Sequence, residues 1–170
     1  MMGRTLVIGG ARSGKSAYAK ALAESVAKHR VFIATAEPID LEMEERIARH
    51  RADRDRTWST VEEPVELIDA IAAHASSDRS VLVDCLTLWL SNLLHRGRDA
   101  ERAAGGLVAG LASLQGHVIL VSNEVGLGLV PDNPAGRAFR DAQGRLNQDV
   151  AAVCDRVYLV TAGLPLLLKG

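Results

Sequence analysis

Residues 5–16 read Thr5-Leu6-Val7-Ile8-Gly9-Gly10-Ala11-Arg12-Ser13-Gly14-Lys15-Ser16, and this stretch decides the fold. The first four are strand formers. The next eight satisfy G-x-x-x-x-G-K-[ST], in which glycines let the backbone bend so that successive N–H groups converge on an anion. Ala17 to Ala27 follows, rich in alanine and free of Gly and Pro, as a helix requires. Strand, glycine loop and helix start bring backbone donors and the positive end of a helix dipole to one point. That point suits the phosphates of a nucleoside triphosphate. On this reading Gly9, Gly10, Ala11, Arg12, Ser13, Gly14, Lys15 and Ser16 bind nucleotide, with Lys15 on the β- and γ-phosphates and the Ser16 hydroxyl on Mg²⁺.

Further along, Val31–Ala34, Val81–Val83, Val118–Val121 and Val157–Val160 are apolar runs like Thr5–Ile8. Strands of a parallel sheet are buried on both faces, so they read as runs rather than alternations. Helical patterns lie between them. From Ala135 to Cys154, Phe139, Ala142, Leu146, Val150 and Val153 recur at three- and four-residue steps. Pro64 is expected at the first position of a helix through Val65, Leu67, Ile68 and Ile71. Gly105, Gly106 and Gly110 weaken any helix from Asp99 to Gln115. The expected fold class is α/β, a P-loop NTPase (RecA-like) with a mostly parallel sheet and helices on both faces. Ligands of such sheets bind beyond the carboxyl ends of the strands.

The composition narrows the function classes. The 170 residues suit one domain, 1–170, and the 20 basic and 21 acidic side chains nearly cancel. No net field therefore points to nucleic acid or an anionic membrane, and 4% aromatics offer little for base stacking. No apolar run approaches a membrane span, and the N-terminus lacks a signal-peptide core. Cys85 and Cys154 lie in apolar stretches without metal spacing, as buried thiols of a reducing compartment do. A cytoplasmic location is expected.

Three regions carry candidate chemistry. Asp84 ends the run Val81–Val83, where it either organises Mg²⁺ beside the phosphate loop or caps a helix starting near Leu86. Glu42 to Arg56 has helix-forming composition yet is polar nearly all round, so it is expected to meet another subunit or to move. Within it Arg46, His50 and Arg54 share one helical face. His50 is either a solvated histidine or a nucleophile toward a phosphorus whose oxygens the arginines neutralise. His29, His74, His95 and His117 lack such company and read as structural. After Val121, residues 122–134 hold two glycines and two prolines. Asn123 and Glu124 there, with Arg137 and Arg140 beyond, either meet substrate and phosphate or belong to a structural turn.

With these residues in place, the chain resembles the bifunctional adenosylcobinamide kinase/adenosylcobinamide-phosphate guanylyltransferase family of cobalamin biosynthesis. The loop at 9–16 is generic. Arg46-Ile47-Ala48-Arg49-His50-Arg51, Asp84-Cys85-Leu86-Thr87, Asn123-Glu124-Val125-Gly126 and Leu146-Asn147-Gln148, in this order, are specific. The resemblance implies γ-phosphate transfer from ATP or GTP to adenosylcobinamide, then GMP transfer from GTP to adenosylcobinamide phosphate through a guanylyl-histidine. It implies that His50 is that histidine and that Lys15 is catalytic. By the same matching Thr35, Ala36, Glu37, Ala52, Asp53, Arg54, Asp55, Glu62 and Asp84 fall at nucleotide-contacting positions. It also implies a homo-oligomer, a trimer. A simple P-loop kinase would use Lys15 without His50, and a nucleotide-driven switch would hydrolyse slowly and signal to a protein partner.

Overall fold

The computed structural model describes residues 3–38 and 55–170. In chain order these form β1 (Gly3–Gly9), α1 (Lys15–Val26), β2 (His29–Ala34), β3 (Trp58–Glu62), α2 (Leu67–His74) and β4 (Arg79–Asp84). There follow α3 (Leu86–His95), α4 (Ala100–Ser113), β5 (His117–Asn123), α5 (Pro134–Val153), β6 (Arg156–Thr161) and β7 (Leu164–Lys169). The polar segment expected to be a helix from Glu42 lies, as far as Arg54, outside the described residues.

The seven strands form one sheet in the order β3-β2-β4-β5-β1-β6-β7. All pairs are parallel except β6 with β7. The pleat sends successive side chains to opposite faces, and two cores result. Leu6, Val31, Ile33, Val81, Val83, Val118 and Leu120 pack with α2, α3, α4 and α5. Val7, Phe32, Leu82, Ile119 and Val121 face the other way, onto Ala19 and Ala23 of α1. Those two alanines, one helical turn apart, let α1 lie close on the sheet. Helices thus cover both faces.

Each expected apolar run is a strand. The chain adds two strands, and both are edges. β3 reads Trp-Ser-Thr-Val-Glu and is exposed at Ser59, Thr60 and Glu62, so it carries no apolar run. β7 is exposed throughout and contains Pro165, which an edge strand tolerates. Two helix expectations need correction. Pro64 sits in a bend, and α2 begins at Leu67. The Glu63 carboxylate accepts from the N–H groups of Val65 and Glu66 at 2.9 and 2.8 Å, which makes the turn. The region from Asp99 is a helix despite its glycines. Asp99 caps α4 by accepting from Arg102 N–H at 2.9 Å. Gly110 there is a packing residue, since a Cβ would lie 2.4 Å from Ile68 of α2.

Candidate active site

Gly9 ends β1, where a Cβ would lie 2.5 Å from the Ser13 hydroxyl and 2.6 Å from the Val160 carbonyl. Any side chain there would collide with the loop and with β6. Ser13 N–H donates back to the Gly10 carbonyl at 3.3 Å. Arg12 (φ 55°) and Gly14 (φ 94°) adopt left-handed backbone, which closes the turn before α1 begins at Lys15. Gly14, the N-cap of α1, has no side chain to cap the helix, and the Ser13 hydroxyl accepts from Lys15 N–H at a long 3.4 Å. The positive end of the helix dipole thus faces the loop. Lys15 is buried, and its ammonium donates to the Gly10 carbonyl at 3.2 Å, folded over the loop instead of out to solvent. The turn after β6 buttresses this arrangement, with Gly163 N–H donating to the Ser13 carbonyl at 2.8 Å.

Asp84 ends β4, opposite Val121 of β5 and Ala34 of β2. Only β5 separates β4 from β1, so the two strand axes lie about 10 Å apart. Both strand tips reach the same edge of the sheet. The helix-capping reading of Asp84 fails, because the residue at the N-cap of α3 is Cys85 and no side-chain bond caps it. Among the described residues no hydrogen bond engages the Asp84 carboxylate or the Ser16 hydroxyl. Both are hard oxygen donors, the kind Mg²⁺ takes. No group of three or more His, Cys, Asp or Glu suited to a metal exists among the described residues. Mg²⁺ at nucleotide sites fits that sparseness, since phosphates and waters complete its shell.

Thr35 is fully buried and ties the strand ends together. Its hydroxyl accepts from Cys85 N–H and donates to the Cys85 carbonyl, each at 2.8 Å. The Asn92 amide donates to the Thr35 carbonyl at 2.7 Å. Glu37 pairs with Arg96 at 2.5 Å, and Ala36 lies between Thr35 and Glu37 in sequence, just past β2. Glu62 is the last residue of β3, beside Ala34. Asp55 accepts from the Thr57 hydroxyl and amide, which holds its carboxyl below the usual range. Loop, Thr35, Ala36, Glu37, Glu62 and Asp84 thus gather at the carboxyl ends of the strands. His50, Ala52, Asp53 and Arg54 lie outside the described residues. The other histidines occupy element ends, His29 and His117 opening strands and His74 and His95 closing helices. Burial pushes the Cys85 thiol up to about 11 and the Cys154 thiol up to about 12, so both stay protonated and inert.

Beyond β5 the fold uses side chains whose roles the sequence left open. Arg140 donates to the Gly126 carbonyl at 2.7 Å, and Arg137 to the carbonyls of Pro131 and Asp132 at 3.0 and 2.9 Å. Both guanidiniums shape the loop. A polar cluster behind it has no counterpart in the sequence reading. Ser122 and Gln143 are fully buried and Asn147 nearly so. The Ser122 hydroxyl donates to Asn147 Oδ1 at 2.6 Å, Gln143 Nε2 reaches both, and Asn147 Nδ2 holds the Asn123 carbonyl at 3.1 Å. The available signal was spacing, since Gln143 and Asn147 lie one turn apart beside Leu146 and Val150.

A glycine loop at the tip of a central parallel strand, with an acid one strand away, defines a P-loop nucleotide-binding protein of the RecA-like kind. A solved ATPase from the type III secretion system of pathogenic bacteria shares the fold, with a TM-score of 0.55 over 97% of this chain and 56% of that one at 11% identity. The chain belongs to the cobinamide kinase / cobinamide phosphate guanyltransferase family, whose model matches residues 5–168. It is 48% identical over 171 residues to the bifunctional adenosylcobalamin biosynthesis protein CobP of Pseudomonas aeruginosa, covering 98% of each chain. It is 39% identical over 179 residues to the bifunctional protein CobU of Salmonella typhimurium, covering 96% of this chain and 98% of the relative. The chain is an enzyme of cobalamin biosynthesis with kinase and guanylyltransferase activity.

Proposed function

We propose that one nucleotide site serves two transfers. In the first, the aminopropanol hydroxyl of adenosylcobinamide attacks the γ-phosphorus of ATP or GTP, the bond to the β-phosphate breaks, and the nucleoside diphosphate leaves. In the second, a neutral His50 nitrogen attacks the α-phosphorus of GTP and pyrophosphate leaves. An oxygen of adenosylcobinamide phosphate then displaces His50 from the guanylyl group, giving adenosylcobinamide-GDP. The observation that carries this reading is the phosphate loop closed over Lys15, in a chain whose family match runs from residue 5 to residue 168.

Lys15 and the loop amides hold the triphosphate for both steps. Ser16 and Asp84 are the residues that would hold Mg²⁺, which when bound neutralises charge on the phosphates. The arginines near His50 in sequence would neutralise the oxygens of the phosphorus that its nitrogen attacks. A covalent intermediate lets the bulky acceptor enter after pyrophosphate has gone. We read the chain as one domain, 1–170, of a cytoplasmic homo-oligomer, with the trimer of the family resemblance and the polar segment around His50 meeting a neighbouring subunit.

The test is His50→Ala. Wild type incubated with α-³²P-GTP should carry label in an acid-labile, alkali-stable phosphoramidate. The variant should take no label, keep the kinase step and stop at adenosylcobinamide phosphate, with guanylyl transfer down by several orders of magnitude. A variant that still takes label, or still makes the GDP product at a near-normal rate, sinks the role of His50.

A further inference from the structure

The loop 124–133 presents apolar side chains at the site edge. It leaves β5 with Glu124 N–H donating to the Gly9 carbonyl at 3.0 Å, so it starts one hydrogen bond from the phosphate loop. Its backbone is held at both ends. The Glu124 carboxylate accepts from Gly126 N–H at 2.5 Å, Arg140 takes the Gly126 carbonyl, and Arg137 takes those of Pro131 and Asp132. Asn133 caps α5 by accepting from Gly136 N–H at 2.7 Å. Between these ties Leu127 is 85%, Leu129 97% and Val130 63% exposed. A triphosphate has no use for three outward aliphatic side chains. The acceptor does, since a corrinoid is a broad macrocycle with apolar faces and an amide rim, and its reacting hydroxyl must come up to the γ-phosphate beside this loop.

We propose that Leu127, Leu129 and Val130 form the docking surface for the corrinoid ring of the acceptor. This rests on the function proposed above and gives that site its second binding element. The polar groups named above bond the loop to itself and to α5, and its aliphatic groups are left to meet the ring. The exposed leucines of β7 differ, for they run along the outer edge of the sheet toward its amino end.

Cobinamide absorbs visible light, so equilibrium dialysis of the full chain measures its binding directly, with GTP binding measured in parallel. The double substitution Leu127→Ser with Leu129→Ser should weaken cobinamide binding about tenfold or more, from the lost apolar burial. GTP affinity should stay within about twofold. The apolar double variant Leu127→Met with Leu129→Met should bind cobinamide like wild type. If the serine variant binds cobinamide as tightly as wild type, the docking surface lies elsewhere. If its sedimentation mass falls, the loop covers a second copy of the chain and the inference is wrong. A wild type that binds GTP but no cobinamide overturns the proposed function and this inference with it.

Discussion

The two ends of the sheet handle polar groups in opposite ways. At the amino end Arg4 is held by bonds from its backbone and from every nitrogen of its side chain. Its backbone N–H donates to the Asp155 carboxylate at 2.7 Å, its side chain reaches both oxygens of that carboxylate, and its other amino group bonds the Leu111 and Ala112 carbonyls, each at 3.2 Å. Asp155 N–H returns a bond to the Arg4 carbonyl at 2.9 Å. At the carboxyl end the Ser16 hydroxyl and the Asp84 carboxylate have no hydrogen bond among the described residues, and the Lys15 ammonium beside them lies over the phosphate loop, donating to the Gly10 carbonyl. The same strands thus run from a closed end to an open one. Groups already matched within the fold give it stability, and groups left unmatched are available for substrate.

The sharpest way to break this contrast is Lys15→Ala, which should lower both transfers by about a thousandfold or more, because electrostatic hold on the phosphates is lost. A radiolabelled kinase assay checks it, and activity within about tenfold of wild type would take the loop out of the mechanism. At the closed end Arg4→Ala should leave turnover unchanged and cost about 1–2 kcal/mol of stability, read by urea denaturation. The hydrogen bond from Arg4 holds the Asp155 carboxyl below its usual range. A carboxyl whose pKa falls on folding stabilises fully above its unfolded value, about 4, and loses that contribution as pH drops through the folded value. The gap between wild type and Arg4→Ala should therefore narrow below about pH 4. A wider gap at pH 3 than at pH 7 would contradict the pairing. The smallest effects belong to α4, which supplies the carbonyls that Arg4 binds. Gly105→Ala, exposed and with open space for a Cβ, should stabilise by about 0.5–1 kcal/mol. Gly110→Ala should instead destabilise by about 1 kcal/mol, because crowding against Ile68 outweighs the helix gain. Equal thermal shifts for the two would refute the close packing.

Central strands are legible in the sequence because both faces are buried, which leaves uninterrupted runs such as Val81–Val83. The edges β3 and β7 are not, since one pairs a half-exposed polar sequence and the other carries leucines that face solvent. Gly110 misleads as a helix breaker because its reason is Ile68, distant in the chain. At the site, local chemistry is legible and assembled chemistry is not. The glycine turn reads from its spacing, and the position of Asp84 from an acid at an apolar strand's tip, though the sequence left its role open between metal and cap. The cluster of Ser122, Gln143 and Asn147 looks like ordinary helix and strand polarity until the fold buries it. Arg137 and Arg140 look like phosphate ligands until the carbonyls they hold are seen.

β1 comes before the other six described strands in the chain, yet its neighbours in the sheet are β5 and β6. A ribosome makes the phosphate loop early, but the chain cannot clamp it in shape until the segment around Thr161 and Gly163 has emerged. Residues 3–16 must wait as an unpaired apolar strand and a bare glycine turn while more than half of the protein is built. The phosphate loop therefore takes its finished shape only after β5 and the turn that follows β6 have joined β1.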